Sequence, residues 1–586
     1  MTNTLLRIFA VAWLASHPLA WGQVTPATQQ APSTIDGIDK LLDKIVERER
    51  SFVQSLRTHT PLIETYIQEI PDEAENARPA KDHYFLGRFS TSERLEYSKL
   101  VERTDPPVGK TSRRRAAPQA GLSFLPRGFA QMAFVDLQHF DRNTYSFDFV
   151  RREFVGDVRS LVFDVAPRSR TQPGKFIGRI WVEDLDFSIV RFNGTYVRTP
   201  APKGSAPQLY FHFDSWRMNT GGSAWIPAQI YIEEEGDSAY KRFKAQSRIW
   251  DYAAAPENKL TELTNILIES QAPVRDEETQ KDFSPLESQR SWEKQAEENV
   301  LARLEKGGLL AATGTVDQVL NTVLNNLIVS ANLSTDARAR VLLTTPIETF
   351  SVGHTIAISR GLIDVLPDET SLALLLATEL SHIALGHRTP TQFAFNNQTM
   401  LSDAELLQRF RFKRSPEELL EAGKKTIDIM RASPYQNTAK AGLFLKALAS
   451  HNAQLPMLLK ANMGDQVADT EALDRLASFA ESAPALEDDK LEQIAALPLG
   501  SRIKVNPWSN QIEMVKTRPL SLLSVREKMP FEVTPFVLHL TRDTENKTAE
   551  TKAIEGKASE RAAQTVRVDA AKLLEAKPTP ETGSQH

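Results

Sequence analysis

Thr378-Glu379-Leu380-Ser381-His382-Ile383-Ala384-Leu385-Gly386-His387 is the stretch on which the reading of this chain turns. In the motif H-E-x-x-H, two histidines at i and i+4 of a helix hold Zn²⁺, and the glutamate between them acts as general base on a metal-bound water. Glu379 and His382 stand in place here, but Thr378 occupies the first histidine position. A hydroxyl is a poor zinc ligand beside imidazole, thiolate or carboxylate. At about 100° per residue, Thr378 and His382 lie about 40° apart, whereas His387 lies about 140° from His382 and reaches it only if the helix breaks. Leu372, Leu374, Leu375, Leu376, Leu380, Ile383 and Leu385 make the segment apolar nearly all round. The pattern predicts a buried helix in which Glu379 and His382 need internal hydrogen-bond partners. Thr378 can satisfy itself on the carbonyl of Leu374.

The flanking segments extend the pattern. Val316, Val319, Leu320, Val323, Leu324, Leu327 and Ile328 form an i, i+3, i+4 stripe, which predicts a helix over 315–329. Glu348 to Ile363 reads as loop, strand and helix start, and Pro367-Asp368 opens the next helix. Ser433-Pro434-Tyr435 and Ala441 to Leu448 follow downstream. This order resembles the M48 family of zinc metallopeptidases, over 311–510. The resemblance implies a mostly helical domain with a short exposed edge strand, here Thr355, Ile356, Ala357, Ile358 and Ser359, that aligns substrate backbone. It also implies a third zinc ligand, a Glu four residues before an Asp. Counting back from Ser433-Pro434-Tyr435 puts these positions at Leu419 and Gly423, with Glu418 and Glu421 alongside. On this count Thr378 and Leu419 are lost ligand positions. His382, Glu418 and Glu421 are vestigial metal candidates, and Glu379 is a general base only in an active enzyme.

Residues 80–255 have a different texture. Short β-branched and aromatic runs (Tyr145–Val150, Leu161–Val165, Phe176–Val182, Ile189–Val197, Leu209–Trp216, Trp225–Glu233) alternate with turn signals such as Asn193-Gly194 and Gly221-Gly222. They predict an antiparallel sheet, curved or closed. Phe176 to Asp184 followed by Ile189 to Gly194 resembles lipoprotein-sorting and lipoprotein-carrier half-barrels, whose concave face holds acyl chains. The predicted fold class is therefore α+β and multidomain. The segments are a signal peptide (1–22), a linker (23–33), an N-terminal helical segment (34–79), the β domain (80–255), a linker and connecting helix (256–310), the M48-like domain (311–510), a C-terminal extension (511–545) and a disordered tail (546–586).

Arg7, the apolar run Ile8–Ala15 and Ala20-Trp21-Gly22 have the order of a secretory signal. With no cysteine in 586 residues, disulfides are excluded, and an exported chain of this kind suits a bacterial periplasm. No apolar run is long enough for a transmembrane anchor in the mature chain. A net charge of −5 gives no footprint for nucleic acid, and the Ser112-Arg113-Arg114-Arg115 run reads as a solvated loop. The leading expectation is an impaired pseudopeptidase that binds unfolded or extended polypeptide, such as envelope proteins, without a cofactor. One alternative is an active zinc metalloendopeptidase using His382 with Glu418 or Glu421. Another is a lipid or lipoprotein binder acting through the β domain.

Overall fold

The computed structural model describes residues 35–542 except 72–78, 93, 104–123, 170–173, 198–210, 221–223, 237–241, 253–284, 388–393, 395–404, 406–407, 468–475, 488–489, 492, 494–497, 516–522, 525–527, 530 and 536–537. The signal-like N terminus, the linker at 23–33, the arginine run at 113–115 and the tail at 546–586 lie outside the described residues.

The chain begins with helix α1 (Ile35–Leu56) and enters strands β1 (Leu62–Glu69), β2 (Lys81–Ser90) and β3 (Glu96–Arg103). A short helix, α2 (Pro126–Gln131), precedes β4 (Tyr145–Val155), β5 (Val158–Pro167), β6 (Phe176–Glu183), β7 (Ile189–Tyr196), β8 (Phe213–Asn219), β9 (Trp225–Glu234) and β10 (Phe243–Trp250). These make one ten-stranded sheet in the order β3-β2-β1-β10-β9-β8-β7-β6-β5-β4, antiparallel between every pair of neighbours. The fold class is α+β, with helices dominating the second half.

β1 corrects the helical reading of 34–79. Its side chains alternate: Ile63 and Ile67 join one apolar core, while Leu62 and Tyr66 join another. Glu64 and Gln68, on the Leu62 face, are nonetheless buried. The strand is thus covered on both faces, and its polar letters hide the period-2 signal.

On the Ile63 face, α1 and residues 124–140 fill the sheet. Ile45, Val53 and Leu56 pack with Phe85, Phe89, Phe134, Phe192 and Phe213 in a single apolar cluster. Arg217 of β8 crosses the packing to Glu49 of α1 through two 2.7 Å hydrogen bonds, with both side chains 1% exposed. Its guanidinium also sits 4.0 Å from the ring centre of Phe52. Removing one partner strands a buried charge. Glu49→Ala is therefore expected to cost about 3–5 kcal/mol in urea unfolding, and a loss below about 1 kcal/mol would show the pair to be dispensable.

The opposite face carries the second half of the chain. Helix α3 (Pro285–Lys306) leads to α4 (Thr315–Ser330), β11 (Arg338–Leu342), β12 (Glu348–Val352), β13 (Thr355–Ser359), α5 (Arg360–Val365) and α6 (Glu369–Ala384). After α6 come α7 (Pro416–Ala432), α8 (Ala439–His451), α9 (Pro456–Leu459), β14 (Asp465–Gln466), α10 (Ala477–Ser482), β15 (Ile503–Val505) and β16 (Ile512–Met514). Leu62, Tyr66, Tyr84 and Trp250 of the large sheet share one core with Leu324, Ile358, Leu376 and Leu458.

Charged residues pin the join. Glu64 accepts from Arg360 Nη2 (2.7 Å), Thr345 Oγ1 (2.7 Å), Thr345 N (2.6 Å) and Tyr84 Oη (2.9 Å). Asp82 accepts from the first backbone amides of α9, Met457 N at 3.0 Å and Leu458 N at 2.8 Å. Gly361 has no room for a side chain, because a Cβ there would lie 1.8 Å from the Thr345 carbonyl oxygen. The boundary expected at 510 falls inside the β15–β16 hairpin. Farther on, Phe531 and Val533 return to the large sheet through both ends of the Gln68 amide, each at 2.8 Å.

Candidate functional site

Helix α6 starts at Asp368, whose carboxylate accepts from Ser371 N at 2.9 Å. It is buried from Ser371 to Ala377 and again from Glu379 to His382, as an apolar periphery requires. Thr378, Glu379 and His382 open into a small cleft together with Leu419 and Gly423 of α7, Thr349 of β12 and Asp465 of β14. The two downstream positions reached by counting therefore meet the α6 residues in space. Ser381 fixes the helix pair: its hydroxyl donates to Ala377 O at 2.7 Å and lies 3.0 Å from Thr426 Oγ1 of α7. The cleft encloses about 30 Å³, room for about one water.

Each side chain has a specific partner. The Thr378 hydroxyl donates to Leu374 O at 3.0 Å, along its own helix. Glu379, 3% exposed, accepts from Thr349 Oγ1 at 2.8 Å. Burial raises its pKa to about 7, and the nearby Asp465 carboxylate adds to the rise; hydrogen bonds from Thr349 and Ser351 and the Arg414 charge oppose it. His382 Nδ1 lies 2.9 Å from His387 Nδ1. Helix continuation would have kept these rings apart, but Gly386 adopts φ +73°, and Gly386 N and His387 N bond back to Ile383 O and His382 O. That six-residue C-cap turns His387 onto the helix end. Its Nε2 then faces Glu421 at 3.3 Å.

Two expected site features are corrected. Thr355–Ser359 is not an edge strand: β13 lies inside the order β11-β13-β12-β14, paired with β11 on one side and β12 on the other, and is buried throughout. Parallel addition of β11 covers the edge that would have been free. Glu418 does not line the cleft among the described residues. It serves the start of α7, accepting from Ser415 N at 3.0 Å while Ser415 Oγ accepts from Glu418 N at 3.3 Å. Glu421 is mostly exposed and meets His387 rather than the cleft.

The donors present do not fit a zinc centre. The positions that the M48 resemblance would give to ligands hold a committed hydroxyl, one imidazole and a leucine, and no group of three His, Cys, Asp or Glu that could hold a metal ion occurs among the described residues. Thr349 and Asp465 were not legible as site residues. Thr349 is an ordinary strand residue in sequence, and Asp465 arrives from a two-residue strand paired to β12.

No family model matches the chain, and no curated protein matches it by sequence. Among solved structures, a LolA superfamily protein from Nitrosomonas europaea is similar at 14% identity with a TM-score of 0.18, covering 36% of this chain and 91% of that one. No helix among the described residues is long and apolar enough to cross a membrane.

Proposed function

We propose that this chain is an exported, M48 peptidase-like protein that has given up hydrolysis and binds extended polypeptide in envelope-protein handling, with the ten-stranded sheet as a half-barrel-like platform. One observation carries the reading: Thr378, Leu419 and Gly423 stand together in one cleft where a metallopeptidase needs metal donors and their support. Glu379 is kept there as a buried group held by Thr349.

Binding by strand addition needs a free backbone edge and no metal. With β13 paired on both sides, an edge for such binding lies on the large sheet, whose terminal strands are β3 and β4; β4 is the longer, eleven residues, without a strand on its outer side among the described residues. Phe149 and Phe154 project from it 52% and 70% exposed. Arg151, Arg152 and Glu153 stand between these rings, with Asp148 next to Phe149, so a bound extended chain would meet backbone hydrogen bonds together with both aromatic and charged side chains.

The test is to mix the purified full-length protein with fluorescent unfolded casein, with and without added Zn²⁺, and follow anisotropy and fragment size together. Saturable binding without fragments is expected. Cleavage that disappears in Glu379→Gln would overturn the non-hydrolytic reading, and an unchanged anisotropy would overturn polypeptide binding.

A further inference from the structure

A second cavity lies far from the α6 helix in the chain. It is built by the end of α1, the β2–β3 turn, α2, the segment after α2 and the start of β6, and encloses about 290 Å³. Its wall carries Arg57, Arg94, Arg127 and Lys175 against a single carboxylate, Asp136. Lys175 Nζ lies 2.7 Å from Asp136, so that pair is internally balanced. Asp136 is further fixed by Tyr145 Oη at 2.7 Å and by the amides of Gln138 and His139 at 2.9 and 3.0 Å. Among the described residues Arg94 makes a single ion pair, an exposed 3.4 Å contact with Glu96. Arg57 and Arg127 make no ion pair among the described residues. Three guanidinium groups from three separate elements thus converge on one cavity in a protein of net charge −5.

The floor adds a second, independent sign. Thr91 is 6% exposed, lines the same cavity, and its Oγ1 is buried without a hydrogen-bond partner among the described residues. A buried hydroxyl in that state is destabilising unless an acceptor arrives. An oxyanion would take its proton on one side and the arginine forks on the other. Planar guanidinium groups match the oxygen spacing of phosphate, and several of them around one anion select its charge as well as its shape. The volume is at the small end of ligand sites, enough for a phosphate with a short organic group. Leu95 and Phe134 supply apolar wall for that group.

We infer that this cavity binds a phosphate ester, either a small soluble organic phosphate or the headgroup of an anionic phospholipid. The site is independent of the α6 cleft and of the polypeptide reading.

The test is calorimetric titration of the full-length protein with inorganic phosphate and with glycerol 3-phosphate at constant ionic strength, beside co-sedimentation with vesicles of phosphatidylglycerol or of phosphatidylcholine. Arg57→Gln and Arg127→Gln sit at exposed positions and should leave the melting temperature unchanged, while each weakens binding by about tenfold or more. Thr91→Val, which keeps the shape and removes the hydroxyl, should weaken binding without changing net charge. Saturable, arginine-dependent binding of glycerol 3-phosphate assigns a soluble ligand. Arginine-dependent binding of phosphatidylglycerol vesicles alone assigns the headgroup. Absence of saturable binding to every phosphate probe overturns the inference, as does binding that is indifferent to both arginine substitutions.

Discussion

Replacing Glu64 by alanine is expected to destabilise the protein by about 3–5 kcal/mol and to loosen the join between its two halves. Glu64 is 1% exposed and sits on β1, yet most of its partners are on the far side of the interface: Arg360 and both the amide and the hydroxyl of Thr345. Arg360 is fully buried, with the Trp250 ring 5.8 Å from its guanidinium carbon. Without the carboxylate, that guanidinium has neither water nor a counter-charge. Glu64→Gln should fall between wild type and Glu64→Ala, since an amide oxygen can still accept from Thr345. Urea unfolding followed by far-UV circular dichroism and by tryptophan fluorescence tests this. Coincident midpoints within about 1 kcal/mol of wild type would show that the network does not hold the join.

The second large effect concerns Glu379 and pH. A carboxyl whose folded pKa stands at about 7, above its ordinary 4.5, takes up a proton on folding between those values. Its favourable contribution is complete below about pH 4.5 and is lost as pH rises through about 7. Ionising the group in place then opposes folding by as much as about 3 kcal/mol. Glu379→Gln keeps an acceptor for Thr349 and has no charge to bury. The variant should match wild type near pH 4.5 and exceed it at pH 8, the gap opening between these limits. Asp82, raised to about 6 mainly by burial, titrates in both proteins and cancels from the comparison. Parallel stability–pH curves for wild type and variant would refute the assignment.

Legibility in the sequence followed how much each element depends on its own letters. The apolar stripe at 316–328 and the leucine-rich run before Glu379 form helices, because period and capping residues act locally. The strands from Tyr145 to Glu234 were marked by their β-branched and aromatic runs; of the turn signals, Asn193-Gly194 lies inside β7, paired with Arg179 and Gly178, and Gly221-Gly222 falls outside the described residues. β1 was obscured because Glu64 and Gln68 are buried by a partner that the local pattern does not contain. At the site, Leu419 and Gly423, the positions reached by counting, line the same cleft as Thr378, Glu379 and His382, and their four-residue spacing puts both on one face of α7. The internal position of Thr355–Ser359 depended on a parallel neighbour, Arg338–Leu342, and parallel pairing leaves no hairpin signal. His387 reaches His382 because Gly386 ends the helix, which is the condition that the angular count set.

Gln68 carries one more consequence. Its amide bonds to Phe531 O and Val533 N, the former 463 residues further along the chain. β1 is therefore finished by a segment made 463 residues after it. Closure over such a separation is slow, and until it happens the β1 face of the sheet is open to wrong partners. For a chain that folds as it emerges, residues near 531 act as a latch on assembly begun long before, and any segment ending at 510 would leave Gln68 without it.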